Sequence, residues 1–431
     1  MIDAALHSGA ADRRAVFEVF TRGLPKGRRY GVVAGTERVI ESIEDFRFLP
    51  DDIDYLRSIG VSPDALMWLA SYRFRGDVYG YPEGEVYGAW SPILTVEATF
   101  AEAVVLETMI LSIFNHDAAV AAAASRMVSA AQGRRMIEMG SRRTDPDAAI
   151  GAARAAAIAG IDATSNLAAG MRYGLETAGT AAHAFTMAHL DEPTAFTAQI
   201  AAQGVGTTLL VDTYDIANGL KNAVEVARQF GRTGPGGVRI DSGDLVAETR
   251  AARATLDALG AFETRIVVSG DLDEFRIDEL VRGGAPIDVF GVGTSLVVGS
   301  GAPTAGLTYK LVSIEDSNGV MQGVAKRSPG KAGAAGRKRA DRRLDPERDC
   351  VVDRLSLNVD LNPELQVLYV SKGIRTRTSS VDEARERHRA ARELLSRVGG
   401  LALAPGEPSI VPEVAEVAGE RQYDVVNSTS T

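Results

Sequence analysis

The chain has 431 residues, 45% hydrophobic and 24% charged, a length and balance that suit a folded protein of two domains and exclude a disordered one. Its formal net charge of -10 argues against a surface built to neutralise nucleic-acid phosphates, although a basic pocket can sit inside an acidic protein. Cys350 is the single cysteine, so no disulfide or cysteine-built zinc site forms within one chain, and the reducing cytoplasm is the expected compartment.

No stretch has the layout of a secretory leader, and no run of about 18 apolar residues is free of charge. The nearest candidate, residues 96–113, contains Glu97, Glu102 and Glu107 and reads as a buried helix, so neither a membrane nor a nucleic acid is an expected partner. The first hundred residues mix short strands, such as 15–20, with a turn-rich passage, Arg75-Gly-Asp-Val-Tyr-Gly-Tyr-Pro-Glu-Gly84, which is α+β material. Residues 97–132 are rich in alanine, lack proline and predict helix.

Over residues 134–296, strand-like runs at Arg135–Glu138, 207–211, 238–240, Arg265–Val268 and 287–290 alternate with helical stretches such as 245–259. That alternation is the pattern of parallel βα units. Asp145-Pro146 supplies an N-cap and a proline at the first helical position, opening a helix that runs to Gly160. Beyond Lys310 the alternation stops. Residues 326–348 read as a Gly-rich basic loop or hairpin, Ser380-x-x-Glu383 as the capping box of a mostly solvated helix over 381–398, and the polar end as a tail. The expected fold class is α/β, an irregular α/β barrel over 106–310. An additional α+β domain is expected from the N-terminal segment 1–105 and the returning segment 311–415, with a tail at 416–431.

Four strand-like runs end in acidic, glycine or hydroxyl residues: Asp212-Thr-Tyr-Asp215, Asp241-Ser-Gly-Asp244, Ser269-Gly-Asp271 and Gly291-Val-Gly-Thr-Ser295. Barrels gather their reactive groups on that rim. Asp, Ser and Gly are also ordinary helix caps, so one such turn decides nothing, whereas four in series favour a site. Neither G-x-G-x-x-G nor G-x-x-x-x-G-K-[ST] is present. Gly270, Gly291 and Gly293 nevertheless let backbone N–H groups approach phosphate oxygens, helped by a following helix terminus, and Asp241 and Asp271 can accept ribose hydroxyls. Arg239, two residues before Asp241, should project to the same side of its strand, and Arg142 and Arg143 follow another strand end, where they suit pyrophosphate. Pairing with a carboxylate is the alternative for each.

His183 lies among small residues that leave its ring accessible, though a lone histidine is more often structural. Its six-residue spacing to His189 excludes an H-x-x-x-H metal pair, and His7, His116 and His388 have no supporting context. Lys221 is the only lysine between Arg134 and Tyr309 and falls on a helical stretch, which removes most of the case for a Schiff-base enzyme.

Taken in order, Met139-Gly-Ser-Arg-Arg143, Asp162-Ala-Thr-Ser-Asn166, Gly179-Thr-Ala-Ala-His183, Asp212-Thr-Tyr-Asp215, Arg239-Ile-Asp-Ser-Gly-Asp244, Ser269-Gly-Asp271 and Gly291-Val-Gly-Thr294 resemble the nicotinate phosphoribosyltransferase family, from Met1 to about Pro412. The resemblance implies an ATP-assisted reaction in NAD synthesis. Nicotinate displaces pyrophosphate from phosphoribosyl pyrophosphate, with Mg²⁺ carried by the pyrophosphate rather than by a protein ligand set. It implies that His183 is phosphorylated by ATP, that Arg142 and Arg239 hold the pyrophosphate and the pyridine carboxylate, and that Asp241 and Asp271 take the ribose. Gly270, Gly291 and Gly293 would cradle the 5′-phosphate, and Asp162 and Asp212 would lie near the base and the histidine. Thr180, Ser242 and Thr294 fall in the same motifs and are implied substrate contacts. A homodimer with interfacial active sites is implied too, by analogy alone.

Two departures stand out. The family carries an N-terminal Thr-Asp-x-Tyr-x-x-Thr-Met segment whose tyrosine stacks on the pyridine in the neighbouring subunit. Only its last residue matches, as Met1, so the expectation is a start misplaced or truncated by several residues. Met139 stands where relatives have phenylalanine, and a thioether packs on a ring less rigidly, which implies weaker base binding. The basic run from Lys326 also resembles a family hairpin, as a solvated loop or a nucleotide contact. A nicotinamide-using relative and a catalytically weak paralogue with a structural or regulatory role are the alternatives. Turnover of the two bases and an acid-labile phosphohistidine separate them.

Overall fold

The structure, a computed structural model, describes residues 1–326, 334–357 and 364–414; part of the basic run and the expected tail lie outside them. The chain forms two compact units, residues 120–303 and residues 1–119 with those from 304 onward.

In residues 120–303, six parallel strands form one sheet: β1 (Arg135–Glu138), β2 (Ala163–Thr164), β3 (Thr208–Leu210), β4 (Gly237–Ile240), β5 (Arg265–Val268) and β6 (Val289–Val292), in the spatial order β2-β1-β6-β5-β4-β3. The sheet curls as an open half-barrel, the α/β class expected from the alternation. Among the described residues no ladder joins β2 to β3, and an isolated bridge between Thr164 and Thr177 extends the β2 edge. Val238, Ile240, Ile266, Val268, Phe290 and Val292 are fully buried, as β-branched and aromatic side chains are on a sheet covered by helices.

Four helices, Pro146–Ile158, Ile216–Gln229, Leu245–Ala258 and Glu274–Arg282, start from Asp145, Asp215, Asp244 and Asp273, each of which accepts backbone N–H bonds from the first turn. These caps fix where the chain leaves the sheet, so the C-terminal strand ends and helix starts share one rim. At the other end, Asp162 and Asp288 stitch neighbouring strands. Asp162 Oδ2 accepts from Met136 N at 2.8 Å, and Asp288 Oδ2 from Ile266 N at 2.7 Å.

The other unit is built on an antiparallel seven-stranded sheet in which Arg14–Phe20 lies between Thr308–Glu315 and Leu94–Thr99. Early and late segments thus share one core, where Phe17 stacks on Tyr309 at 4.8 Å. A second sheet joins Lys338–Asp345, Cys350–Leu357 and Ile410–Val414.

One local expectation changes. Residues 96–113 are not one helix. Leu94–Thr99 is a strand, and Thr99 then opens the helix Phe100–Val104 through a capping box with Glu102. A longer helix, Glu107–Ala131, follows. By length and composition the stretch Phe100–Ala131 could cross a membrane, yet Ile110, Phe114, Ala118, Ala121 and Met127 are fully buried in protein.

The helix Val381–Ser396 keeps the solvated face expected of it, while Val381, Ala384, His388, Ala391 and Leu395 form a buried stripe on the other side. Burial holds the His388 imidazole down to about 4, with its Nδ1 3.0 Å from the Gly84 carbonyl. The described end of the basic run takes the hairpin alternative, Lys338–Asp345 pairing antiparallel with Cys350–Leu357, and its cations are paired. Arg339 bonds Glu364, Arg342 bonds Asp353 and Glu85, and buried Lys338 lies 2.6 Å from Glu18.

Candidate active site

The rim of the parallel sheet separates two kinds of aspartate that look alike in sequence. Asp215 and Asp244 are helix caps, the ordinary role for such turns. Asp212 and Asp241 cap nothing and face the site. Asp212, its side chain 1% exposed, uses Oδ2 to accept from Asp241 N at 2.8 Å and from the Ser242 hydroxyl at 3.0 Å. Its Oδ1 has no hydrogen-bond partner among the described residues and lies 3.8 Å from His183 Nε2, while His183 Nδ1 is 3.2 Å from Thr213 Oγ1. A closing movement of about 1 Å would make a charge-assisted bond to a protonated His183.

Arg239 projects with Asp241, as the two-residue spacing requires, and joins three segments. Its Nε donates to Ser269 Oγ at 2.7 Å, its Nη1 to Thr180 Oγ1 at 2.7 Å and its Nη2 to Asp241 Oδ1 at 3.1 Å. Ser269 donates in turn to the same Asp241 oxygen at 2.6 Å. A guanidinium has five N–H groups, so one remains on each Nη nitrogen. The carboxylate alternative for Arg239 is therefore realised only in part.

Gly270 has φ +106, and a Cβ there would lie 2.5 Å from the Asp241 carbonyl oxygen; Asp271 follows at φ 45, uncommon for a residue with a side chain. A Cβ on Gly291 would meet the Met139 sulfur at 3.0 Å, so the two turns close on each other. The helix after Gly293 spans only Thr294–Val297, which leaves backbone N–H groups rather than a macrodipole to act on an anion. Arg142 and Arg143 sit exposed on the short turn Ser141–Arg143, and among the described residues neither guanidinium is paired.

A cleft of about 200 Å³ gathers Met139, Arg142, Arg143, Arg239, Asp241, Ser269, Gly270, Asp271, Gly291, Gly293 and Thr294. Thr180, Ser242 and Asp212 connect to it through the bonds above, and His183 lies beside Asp212. Asp162 is not brought to it, its carboxylate being engaged by Met136 N between β1 and β2. A larger cleft, about 690 Å³, lies in the other unit, but Asp3 and Asp64 line it and no arginine does, so it is a poor place for a phosphate.

The motifs hid three contributors. Thr213 and Ser269 sat inside quoted motifs without a role. Glu138, 1% exposed at the end of β1, accepts from Gly140 N and, at 2.5 Å, from Thr164 Oγ1, joining two rim turns. Burial raises its carboxyl above the ordinary range, opposed by those bonds. Its place directly before Met139 was the only signal.

Fold and site together define an α/β half-barrel protein whose strand ends set two unpaired arginines, a glycine-lined turn and a fixed guanidinium around one small polar cleft. Residues 135–344 match the nicotinate phosphoribosyltransferase (NAPRTase) family and residues 1–115 its N-terminal domain. A nicotinate phosphoribosyltransferase of Mycobacterium tuberculosis, pncB1, is 52% identical over 95% of this chain and 92% of its own, and that of Bacillus subtilis is 39% identical over 79% and 71%. The human nicotinic acid phosphoribosyltransferase crystal structure superposes with a TM-score of 0.79 over 96% of both chains at 23% identity, a likeness of fold. The chain belongs to the nicotinate phosphoribosyltransferase family.

Proposed function

We propose that this chain catalyses the attack of nicotinate on phosphoribosyl pyrophosphate, forming nicotinate mononucleotide and pyrophosphate in NAD biosynthesis, with ATP hydrolysis coupled through phosphorylated His183. The observation that carries the reading is Arg239. Held by Thr180, Ser269 and Asp241, it keeps one N–H on each terminal nitrogen, the pair that a planar carboxylate accepts. An amide would place its own NH₂ against one of those donors, which favours acid over amide.

In this reading the bond forming is from the pyridine nitrogen to ribose C1′, and the bond breaking is from C1′ to the pyrophosphate oxygen. Positive charge developing on the ribose meets Asp241 and Asp271, and negative charge on the leaving group meets Arg142 and Arg143. Mg²⁺ bound to the pyrophosphate would neutralise it further, and the two aspartates are oxygen donors of the kind it accepts. Gly270, Gly291, Gly293 and Thr294 take the 5′-phosphate, and Met139 packs on the ring. Asp212, whose Oδ1 has no hydrogen-bond partner among the described residues and faces His183 Nε2 at 3.8 Å, orients the His183 ring. A homodimer belongs to the same reading, supported by the exposed apolar side chains of Leu167, Met171, Met187 and Leu190 flanking the His183 segment.

The test is product formation by the purified protein from each base, with and without ATP, and acid-labile label from ATP on wild type and His183→Ala. Nicotinate turnover raised by ATP, with label lost in the variant, is expected. Preference for nicotinamide, or no turnover of either base, would refute the assignment, and an unlabelled wild type would refute the coupling.

A further inference from the structure

We infer that the Ser269 hydroxyl is a spacer that keeps Arg239 and Asp241 from closing into a two-pronged ion pair, and thereby sets the preference of the site for an acid. The inference rests on the proposed role of Arg239 as the carboxylate-binding group. Arg239 and Asp241 lie two residues apart around the end of β4 and face each other at 3.1 Å with side chains only 13% and 27% exposed. An arginine and an aspartate left together in so little water adopt the parallel arrangement in which Nε and one Nη donate to the two carboxylate oxygens.

Ser269, at the end of the neighbouring strand β5 and 4% exposed, prevents it. Its oxygen accepts from Arg239 Nε at 2.7 Å, and its proton goes to Asp241 Oδ1 at 2.6 Å. The hydroxyl thus occupies the Nε edge of the guanidinium and saturates the facing carboxylate oxygen. Asp241 Oδ2 then stays available for substrate, and the terminal N–H pair of Arg239 keeps its direction. Thr180 alone would not do this, because it holds only Nη1. Serine suits the place because one small group must accept and donate at once. Gly291 leaves room for it: a Cβ there would stand 3.3 Å from the Ser269 Cβ.

Removing the hydroxyl frees Nε to turn onto Asp241. The expected loss is in recognition of the charged ring substituent and not in folding, which separates a positioning role from a structural one. In Ser269→Ala the KM for nicotinate should rise about tenfold, on the scale of one hydrogen bond to a charged group. The inhibition constant of nicotinamide should change less than twofold and kcat should fall less than threefold. Ser269→Cys, which keeps side-chain size but bonds weakly, should lie between and serves if the alanine variant does not fold.

Nicotinate and nicotinamide weakened equally, or a nicotinate KM within twofold of wild type, would overturn the inference while leaving the assigned reaction intact. A wild-type protein that neither binds nor converts nicotinate would overturn both.

Discussion

Replacing Gly270 by alanine tests whether the turn between β5 and Asp271 sets the geometry of the cleft. The new Cβ would sit 2.5 Å from the Asp241 carbonyl oxygen, about 0.8 Å inside the ~3.3 Å at which carbon and carbonyl oxygen normally meet. Neither partner is a flexible side-chain end, so the backbone of Asp241 or of residues 269–271 must move. Alanine at φ +106 adds strain of about 1–3 kcal/mol. For a unit of this size that lowers the melting temperature by roughly 2–4 °C per kcal/mol, or about 2–12 °C in all. A displacement approaching 1 Å at the ribose-binding carboxylate should cost about 100-fold in kcat/KM for phosphoribosyl pyrophosphate.

Gly133 is the control. It has φ +83 but nothing within 4 Å of its would-be Cβ, so Gly133→Ala carries backbone strain without the collision. Both variants are to be melted by calorimetry and assayed by initial rates at saturating nicotinate. The reasoning fails if Gly270→Ala keeps kcat/KM within threefold of wild type, or if Gly133→Ala loses activity to the same degree.

Buried His388 makes stability depend on pH. The unfolded chain takes up a proton near pH 6.5 and the native chain only near 4, so between them the unfolded state binds more protons and stability falls as pH drops, by about 3 kcal/mol in all. Urea titrations from pH 7 to 4 should show this slope, and His388→Asn should flatten it; an equal slope in the variant would assign it to other groups. Lys338→Met should cost about 3–5 kcal/mol in urea unfolding by stranding Glu18, with most of it restored by Glu18→Leu in the same chain. Full cost in the double variant would mean that the fit of the side chains, and not charge, matters there. Met139→Phe should tighten nicotinate binding roughly 2–10-fold through ring stacking, measured by calorimetric titration, and weaker binding would place the ring elsewhere.

Much of the site was legible because its signals are local. The glycines at 270, 291 and 293 are punctuation that a turn near phosphate requires, and Arg239 and Asp241 share a side by strand alternation alone. The strands Arg135–Glu138 and Arg265–Val268 could be bounded from apolar runs. What misled was equally local. Residues 94–99 precede a long alanine-rich helix, yet Leu94, Thr95 and Val96 pair with Arg14–Phe20, and only that partner makes them a strand. The charges of residues 338–345 left a loop and a hairpin both open, and only carboxylates brought up by the fold, Glu18 and Asp353, take those charges out of water.

By itself the sequence determined which residue types stand at the ends of the parallel strands, and so the family and the chemistry open to the site. A cap or a turn is settled within a few residues of chain, where propensity and short hydrogen bonds act. Only the tertiary structure decided which aspartates are caps and which face the cleft, that Asp162 is engaged between strands, and that Ser269 stands between Arg239 and Asp241. Those outcomes depend on which groups meet across strands tens of residues apart, and the free energy of a buried charge is set by its partners in space.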